Sequence, residues 1–167
     1  MVSRIMVQVS SVYLFFLFIA GCHHVVKEDE WVEEALDKAR EQSLMMARKI
    51  DNLSGQLPRS IDETDSLVTS GSDWWCSGFF PGTLWLLYED KQDPEIRKFA
   101  EKYTGRLYKE QYNESTHDLG FMMYCSYGNA YRLTGEDSCR NVLINASTAL
   151  SKRFNSKVGC IQSWEPW

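Results

Sequence analysis

Five helical segments of alternating character constrain the fold of this chain more than any other feature of its sequence. Hydrophobic spacing predicts them over residues 27–53, 79–89, 93–112, 117–133 and 136–154. The first, third and fifth carry their apolar residues along one face, whereas the second and fourth are apolar nearly all round. Because a helix without a polar face must be covered on both sides, the alternation predicts two concentric layers, with outer helices facing water and buried inner helices.

Local signals mark the boundaries of these segments. Asp93 precedes Pro94, the arrangement of a helix N-cap followed by proline at the first helical position. Gly135 is placed to cap the fourth helix at its C-terminus. The polar stretch 54–73 is expected to form a long loop, and 155–167 a loop or a short extended piece.

Composition narrows the class of partner. With 167 residues and a mass of 19.4 kDa, the chain has room for one domain with an ordinary core. Its formal net charge of −5 provides no basic field, which argues against nucleic acid as a partner. An anionic ligand would have to be held by local donors. The five cysteines contain no CxxC pair, so the sequence offers no metal site and implies no cofactor.

The N-terminus has the organisation of an export signal. A positive charge precedes an apolar run over residues 12–20, which is short for a membrane span. Alanine and glycine then precede Cys22, the order found in a bacterial lipobox. We expect a signal peptide over 1–21, lipidation of Cys22 and an acidic tether over 22–30. The protein would then belong to the bacterial cell envelope and touch the membrane only through its lipid anchor. An uncleaved anchor, or a secretory signal with an incidental cysteine, is the alternative.

Two motifs carry the chemistry that the sequence offers. Residues 74–82 (Trp-Trp-Cys-Ser-Gly-Phe-Phe-Pro-Gly) and 116–121 (Thr-His-Asp-Leu-Gly-Phe) place aromatic rings and an acid beside glycines at expected loop-to-helix junctions. Exposed aromatic rings stack on the apolar faces of sugars, and a nearby carboxylate supplies proton chemistry. Gly120 lacks a Cβ and would let a neighbouring helix or a sugar approach closely. The alternative is that these are core aromatics with a helix-capping Asp118.

The same motifs carry a resemblance to a known family. Residues 77–85 and 117–121 resemble glycoside hydrolase family 88, the unsaturated glucuronyl hydrolases, with further support from 127–128 and 157–164. The resemblance implies an all-α (α/α)6 barrel of alternating inner and outer helices, with 31–167 as an incomplete catalytic domain. Such a barrel needs twelve helices, so we expect the N-terminal portion of a longer enzyme with partly uncovered inner helices. A small helical bundle that closes by itself is the structural alternative.

The resemblance also implies a reaction. The substrate is an oligosaccharide whose terminal uronic acid carries a C4–C5 double bond left by a polysaccharide lyase. The enzyme protonates C4 and adds water at C5, after which the hemiketal opens and releases the remaining sugar. Asp118 matches the first of the family's two acids, and His117 matches an imidazole that contacts the substrate. Trp75 is the candidate for stacking on the unsaturated ring, a role that Trp74 could exchange. The second acid has no match up to the last residue, and Glu165 does not fit the motif.

Three functions are compatible with these residues. The first is an unsaturated glucuronyl hydrolase acting on glycosaminoglycan oligosaccharides, of which this chain alone is expected to be inactive. The second is a non-catalytic lipoprotein that kept an aromatic surface for sugars. The third is a related unsaturated rhamnogalacturonyl hydrolase, which residues 77–85 fit less well.

Overall fold

The structure, a computed structural model, describes residues 29–164. The chain divides into two units, residues 1–35 and 36–167, and both motifs lie in the second. The predicted signal peptide and Cys22 fall outside the described residues, as does Glu165. Helix α1 begins at Asp29, so the last two residues of the predicted tether are helical.

Six α-helices, a 3₁₀ turn and a π-helical segment account for most of residues 29–164. The helices are α1 (Asp29–Ile50), α2 (Phe79–Lys91), α3 (Pro94–Gly105), α4 (Leu119–Met123), α5 (Asn129–Thr134) and α6 (Asp137–Ser151). The 3₁₀ turn spans Tyr108–Tyr112 and the π-helical segment spans Tyr124–Gly128. None of the helices in this part of the chain combines the length and the apolarity needed to cross a membrane.

The predicted helix boundaries are confirmed where a capping signal was present. The Asp93 side chain accepts hydrogen bonds from the backbone N–H groups of Glu95 (2.7 Å) and Ile96 (3.4 Å) at the start of α3. Gly135 follows α5 with φ +71°, and its N–H donates to the carbonyl of Tyr131 at 2.8 Å. Both satisfy backbone groups that a helix end leaves without partners.

The prediction of a long loop over 54–73 is wrong, because this stretch contains an antiparallel hairpin. Strand β1 (Leu57–Ile61) pairs with β2 (Leu67–Ser70), and a bulge between Pro58 and Ser60 leaves Arg59 as the extra residue. The turn is stabilised by the Asp62 carboxylate, which accepts hydrogen bonds from the backbone N–H groups at 64 and 66. At the other end of the chain, β3 (Phe154–Asn155) and β4 (Cys160–Ile161) form the short extended piece that was expected.

Two of the predicted helices are subdivided. The third ends at Gly105 and continues only as the 3₁₀ turn. The fourth runs without a break through α4, the π-helical segment and α5. Within it, the Ser126 hydroxyl donates to the carbonyl of Met122 at 2.6 Å and the Asn129 amide to that of Cys125 at 2.8 Å. These side chains satisfy carbonyls at the point where the helical hydrogen-bond ladder changes period.

The core lies between α2, the α4–α5 run and the outer helices. Trp85 of α2 is fully buried and donates its indole N–H to the Thr104 hydroxyl of α3 at 2.9 Å. Gly82 of α2 lies so close to the π-helical segment that a Cβ would stand 2.7 Å from the carbonyl oxygen of Cys125. One stripe of each inner helix is nevertheless exposed, including Leu86 and Tyr124. Inner helices with one uncovered face are what the incomplete ring predicts.

Candidate active site

Asp118 stands immediately before α4, but its carboxylate does not cap the helix. Its backbone carbonyl accepts the first helical bond, from the N–H of Met122 at 3.2 Å, while its side chain makes no capping bond. The carboxylate instead accepts a hydrogen bond from the Thr116 hydroxyl at 3.4 Å, and the same hydroxyl accepts the Asp118 N–H at 3.0 Å. The side chain is 18% exposed. The alternative of a helix-capping Asp118 is therefore wrong, and the carboxylate is available to a ligand.

His117 lies beside this carboxylate and against an aromatic ring. Its Nε2 is 3.4 Å from Oδ1 of Asp118. Its imidazole meets the indole of Trp164 edge to face, with ring centroids 4.6 Å apart and planes at 70°. Trp164 itself is largely exposed. An imidazole held between a carboxylate and an indole has its orientation fixed on two sides.

These residues line one cavity of ≈ 320 Å³. Its wall consists of Ser115, Thr116, His117, Asp118, Arg153, Ser163 and Trp164. Most of these groups are polar, and the cavity is open to solvent through the exposed Trp164 side chain. A half-open cavity with an acid, an imidazole and an indole on its wall has the composition of a sugar subsite.

Arg153 connects the segments that form this cavity. Its Nε donates to the carbonyl of Gln162 at 3.0 Å, its Nη1 to that of Glu114 at 2.9 Å and its Nη2 to that of Ser163 at 3.2 Å. The guanidinium thus ties the segment before His117 to the segment before Trp164. Sequence reasoning missed Arg153 and used Trp164 only as part of a motif, since bonds to backbone carbonyls leave no pattern in the sequence.

Trp75 belongs to an aromatic cluster formed by residues of both motifs, and it does not line the cavity. Its ring centroid is 5.8 Å from that of Phe79 and 6.4 Å from that of Phe121, and the two phenyl rings are 5.8 Å apart. All three side chains are substantially exposed, Trp75 by 44%. Phe121 follows Asp118 by three residues, so the cluster stands about one helical turn from the acid.

Trp74 and Trp75 have different surroundings. The guanidinium carbon of Arg59 lies 3.8 Å from the centroid of the Trp74 ring, a cation–π contact that covers one face of that indole. The bulge in β1 aims Arg59 at this ring. Trp74 is half-buried, whereas Trp75 is exposed. Of the two indoles, Trp75 therefore offers more open ring surface to a sugar.

The glycines of the two motifs serve different purposes. A Cβ on Gly78 would overlap the carbonyl oxygens of Phe121 and Met122, so this glycine lets the start of α2 touch the backbone of α4. Nothing lies within 4 Å of the position that a Cβ on Gly120 would occupy. The expectation that Gly120 admits a neighbouring helix is therefore wrong, because that side of α4 opens onto a groove along α6.

Residues 29–164 contain four cysteines, all free. Burial raises the pKa of the Cys125 and Cys139 thiols, which keeps them protonated at neutral pH. Within that range, no group of three or more His, Cys, Asp or Glu side chains is arranged to hold a metal ion.

Known proteins resemble this chain over most of its length, although no protein-family model matches it. An unsaturated glucuronyl hydrolase from Formosa agariphila is 30% identical over 149 residues, which cover 86% of this chain and 37% of the relative. A crystal structure of an unsaturated glucuronyl hydrolase specific for heparin matches with a TM-score of 0.70 and 39% identity, over 81% of this chain and 37% of its own. A mutant unsaturated glucuronyl hydrolase from Streptococcus agalactiae, complexed with dGlcA-GalNAc6S, gives a TM-score of 0.62 and 29% identity, over 74% of this chain and 33% of its own.

The helical layers and their structural matches define the class as that of the (α/α)6-barrel proteins, of which this chain forms a part. The predicted barrel is confirmed, and the self-closing bundle is not supported. Within that class, the chain belongs to the unsaturated glucuronyl hydrolase family. It spans a little over a third of the length of the first two relatives described above.

Proposed function

We propose that this chain supplies one half of the active site of an unsaturated glucuronyl hydrolase. The enzyme would remove the Δ4,5-unsaturated uronic acid from the non-reducing end of glycosaminoglycan oligosaccharides produced by a lyase. The observation that carries the proposal is the Asp118 carboxylate, which is not bonded to its helix and shares a cavity with His117 and Trp164. A relative specific for heparin and another complexed with dGlcA-GalNAc6S support this substrate class.

Asp118 is assigned the stabilisation of positive charge. In the proposed reaction, a second acid outside the described residues protonates C4 of the unsaturated ring, and positive charge develops on C5 and the ring oxygen. A fixed carboxylate beside that charge stabilises it without reorganisation. Water then adds to C5 and returns a proton to the conjugate base of the second acid. The resulting hemiketal opens to a ketone at C5, and the remaining sugar leaves from C1. This hydration does not require the carboxylate spacings of inverting and retaining hydrolases.

His117 and Trp75 are assigned to substrate binding. The His117 imidazole is oriented by Asp118 and Trp164, so that its free edge can hydrogen-bond a sugar hydroxyl or the uronate. Trp75 presents an exposed indole in contact with Phe121, three residues after Asp118, and such a ring suits the apolar face of a sugar.

The direct test is a substrate comparison with the protein expressed at the length of its relatives. Hydration removes the conjugated double bond, so the ultraviolet absorbance of an unsaturated disaccharide falls as it is consumed. We expect loss of absorbance with a chondroitin- or heparin-derived unsaturated disaccharide. Faster loss with an unsaturated rhamnogalacturonan disaccharide would assign the related activity instead. Binding of the disaccharide without any loss would identify a non-catalytic sugar-binding protein.

We also propose that Cys22 is lipidated and anchors the protein to the bacterial cell envelope. The support is the apolar run that ends in Ala20-Gly21-Cys22. Expressed in a Gram-negative host, the protein should incorporate labelled palmitate, and Cys22→Ala should abolish the label. Labelling that persists in Cys22→Ala would contradict the proposal. Partition into membranes is not decisive, because a retained apolar signal would produce it as well.

A further inference from the structure

Glu110 is a buried carboxylate that the proposed reaction does not use. It lies in the 3₁₀ turn and is only 4% exposed. Its Oε1 accepts a hydrogen bond from the Ser72 hydroxyl at 2.6 Å, and its Oε2 accepts one from the Asn113 amide at 2.8 Å. The ammonium group of Lys109, largely exposed, is 3.6 Å from Oε1. Burying a carboxylate is costly unless each oxygen is hydrogen-bonded, and here both are.

The first of these bonds leads to the loop that carries Trp75. Ser72 is itself buried, and its backbone carbonyl accepts a hydrogen bond from the Ser77 hydroxyl at 2.7 Å. Ser77 is also buried. The bond between Ser77 and Ser72 therefore closes the loop that contains the tryptophan pair. Glu110 binds this loop through the Ser72 hydroxyl.

The second bond leads to the segment that carries His117 and Asp118. The side-chain oxygen of Asn113 accepts hydrogen bonds from the Ser115 N–H at 2.9 Å and from the Ser115 hydroxyl at 2.7 Å. The next residue along the chain, Thr116, holds the N–H of Asp118. A continuous series of hydrogen bonds thus runs from Glu110 through Asn113 to Ser115, which lies two positions before His117.

We infer that Glu110 is a positioning residue that anchors both the Trp75 loop and the Asp118 segment. The two motifs are separate in sequence, and this carboxylate is bonded to both. A carboxylate suits the position because it has acceptors on two oxygens and can receive one donor from each loop. A methionine has neither acceptor oxygen and releases both donors. The consequence for catalysis rests on the proposed function, whereas the anchoring of the two loops does not.

The test is hydrogen–deuterium exchange of the 167-residue chain, followed by mass spectrometry of the peptides that cover 71–79 and 113–121. We expect Glu110→Met, which keeps the length of the side chain and removes both acceptors, to accelerate exchange about tenfold in both peptides, since each loop loses its hydrogen bond to the carboxylate. Ser72→Ala should affect only the first peptide, and Asn113→Ala only the second. Glu89→Gln removes an exposed carboxylate bonded to Arg132 and should affect neither.

A rescue variant separates the anchoring of the two loops from general destabilisation. In Glu110→Gln combined with Asn113→Asp, the glutamine amide can donate to the new carboxylate while its oxygen still accepts from Ser72. The new carboxylate still accepts from Ser115, so all the bonds are restored with the charge moved to position 113. Exchange in both peptides should return to the parental rate. Failure of this rescue would overturn the inference, as would Glu110→Met affecting only one peptide or neither.

Ser72→Ala and Asn113→Ala decide the matter if Glu110→Met does not fold. Each must accelerate exchange in its own peptide and leave the other unchanged, and any other result contradicts the anchoring of each loop by its own oxygen of Glu110. All of these measurements are made without a ligand. Absence of disaccharide hydration in the longer protein would therefore overturn the proposed function and leave the inference about Glu110 to be judged by exchange alone.

Discussion

At the scale of single residues, the Asp118 carboxylate is held by its sequence neighbours rather than by helix α4. An acid at the start of a helix usually accepts a hydrogen bond from the first turn, which stabilises the helix by about 0.5–2 kcal/mol. Asp118 does not use this stabilisation, and its oxygens contact Thr116 and His117 instead. A side chain that leaves a favourable local bond unmade at a cavity wall is a candidate for function.

The neighbouring tryptophans provide a matched pair of substitutions. In the protein at the length of its relatives, Trp75→Ala should raise KM about five- to tenfold, because about 1 kcal/mol of aromatic stacking is lost. Trp74→Ala should leave KM nearly unchanged, since its ring is already covered by Arg59. Steady-state kinetics on the unsaturated disaccharide measures both. An effect on KM confined to Trp74→Ala would reverse the assignment.

Sequence reasoning at this scale finds the residues that belong to a motif and misses those that act through the backbone. The motif predicted a role for Asp118, His117 and Trp75, but the state of the carboxylate is visible only in the structure. Arg153 could not be predicted, because its guanidinium bonds three backbone carbonyls, which every residue possesses. Glu110 is likewise an ordinary acid until its burial is known.

At the scale of elements, α2 packs against the α4–α5 run by direct contact of the two backbones. Gly78 and Gly82 make this possible, because a side chain at either position would overlap a carbonyl of the facing helix. The same contact brings Phe79 against Phe121 and so assembles the aromatic cluster from two motifs. Helix packing and site assembly therefore depend on the same two glycines.

Two glycine-to-alanine substitutions test this contact. Gly82→Ala should destabilise the chain by about 1–3 kcal/mol, because its Cβ would stand 2.7 Å from the carbonyl oxygen of Cys125. Gly120→Ala meets open space and should be neutral or stabilising by up to about 1 kcal/mol through its helix propensity. Thermal unfolding followed by circular dichroism at a fixed protein concentration compares them. Equal midpoints would show that the backbone contact does not limit stability.

The positions of the helices could be predicted from the sequence, whereas the β1–β2 hairpin and the π-helical segment could not. The apolar spacing and the signals at Asp93 and Gly135 located the helices, because both arise from local chemistry. The β1–β2 hairpin was missed because its strands are short and one contains Pro58 at a bulge, which weakens a strand pattern. The π-helical segment was missed because Ser126 and Asn129 resemble ordinary helix residues until their bonds to carbonyls are seen.

At the scale of the whole molecule, residues 36–164 form part of a barrel with an uncovered inner face. Large side chains on the inner helices, among them Leu86, Phe121 and Tyr124, are exposed by half or more. Exposed apolar surface of this extent is characteristic of a surface that meets another part of a protein. The relatives are nearly three times as long as the matched segment, and we expect this face to be covered in a chain of that length.

The isolated 167-residue chain should therefore associate with itself and bind a hydrophobic dye. We expect a concentration-dependent apparent mass in analytical ultracentrifugation and increased dye fluorescence. Leu86→Glu combined with Tyr124→Glu places charge on the exposed face and should reduce both signals. A parental chain that is monomeric, melts in a single cooperative transition and leaves the dye unbound would show that the face is closed in solution.

The central claim is that Asp118 is a catalytic residue for the hydration of an unsaturated uronyl disaccharide. The most direct measurement compares the parent with Asp118→Asn, both expressed at the length of the relatives, by loss of the substrate's ultraviolet absorbance. Asparagine keeps the shape and removes the charge, so turnover should fall about 10²–10⁴-fold while the melting temperature stays close to that of the parent. The 167-residue chain alone should show no turnover, because the second acid is not among its matched residues. A folded Asp118→Asn protein with near-parental turnover would contradict the account.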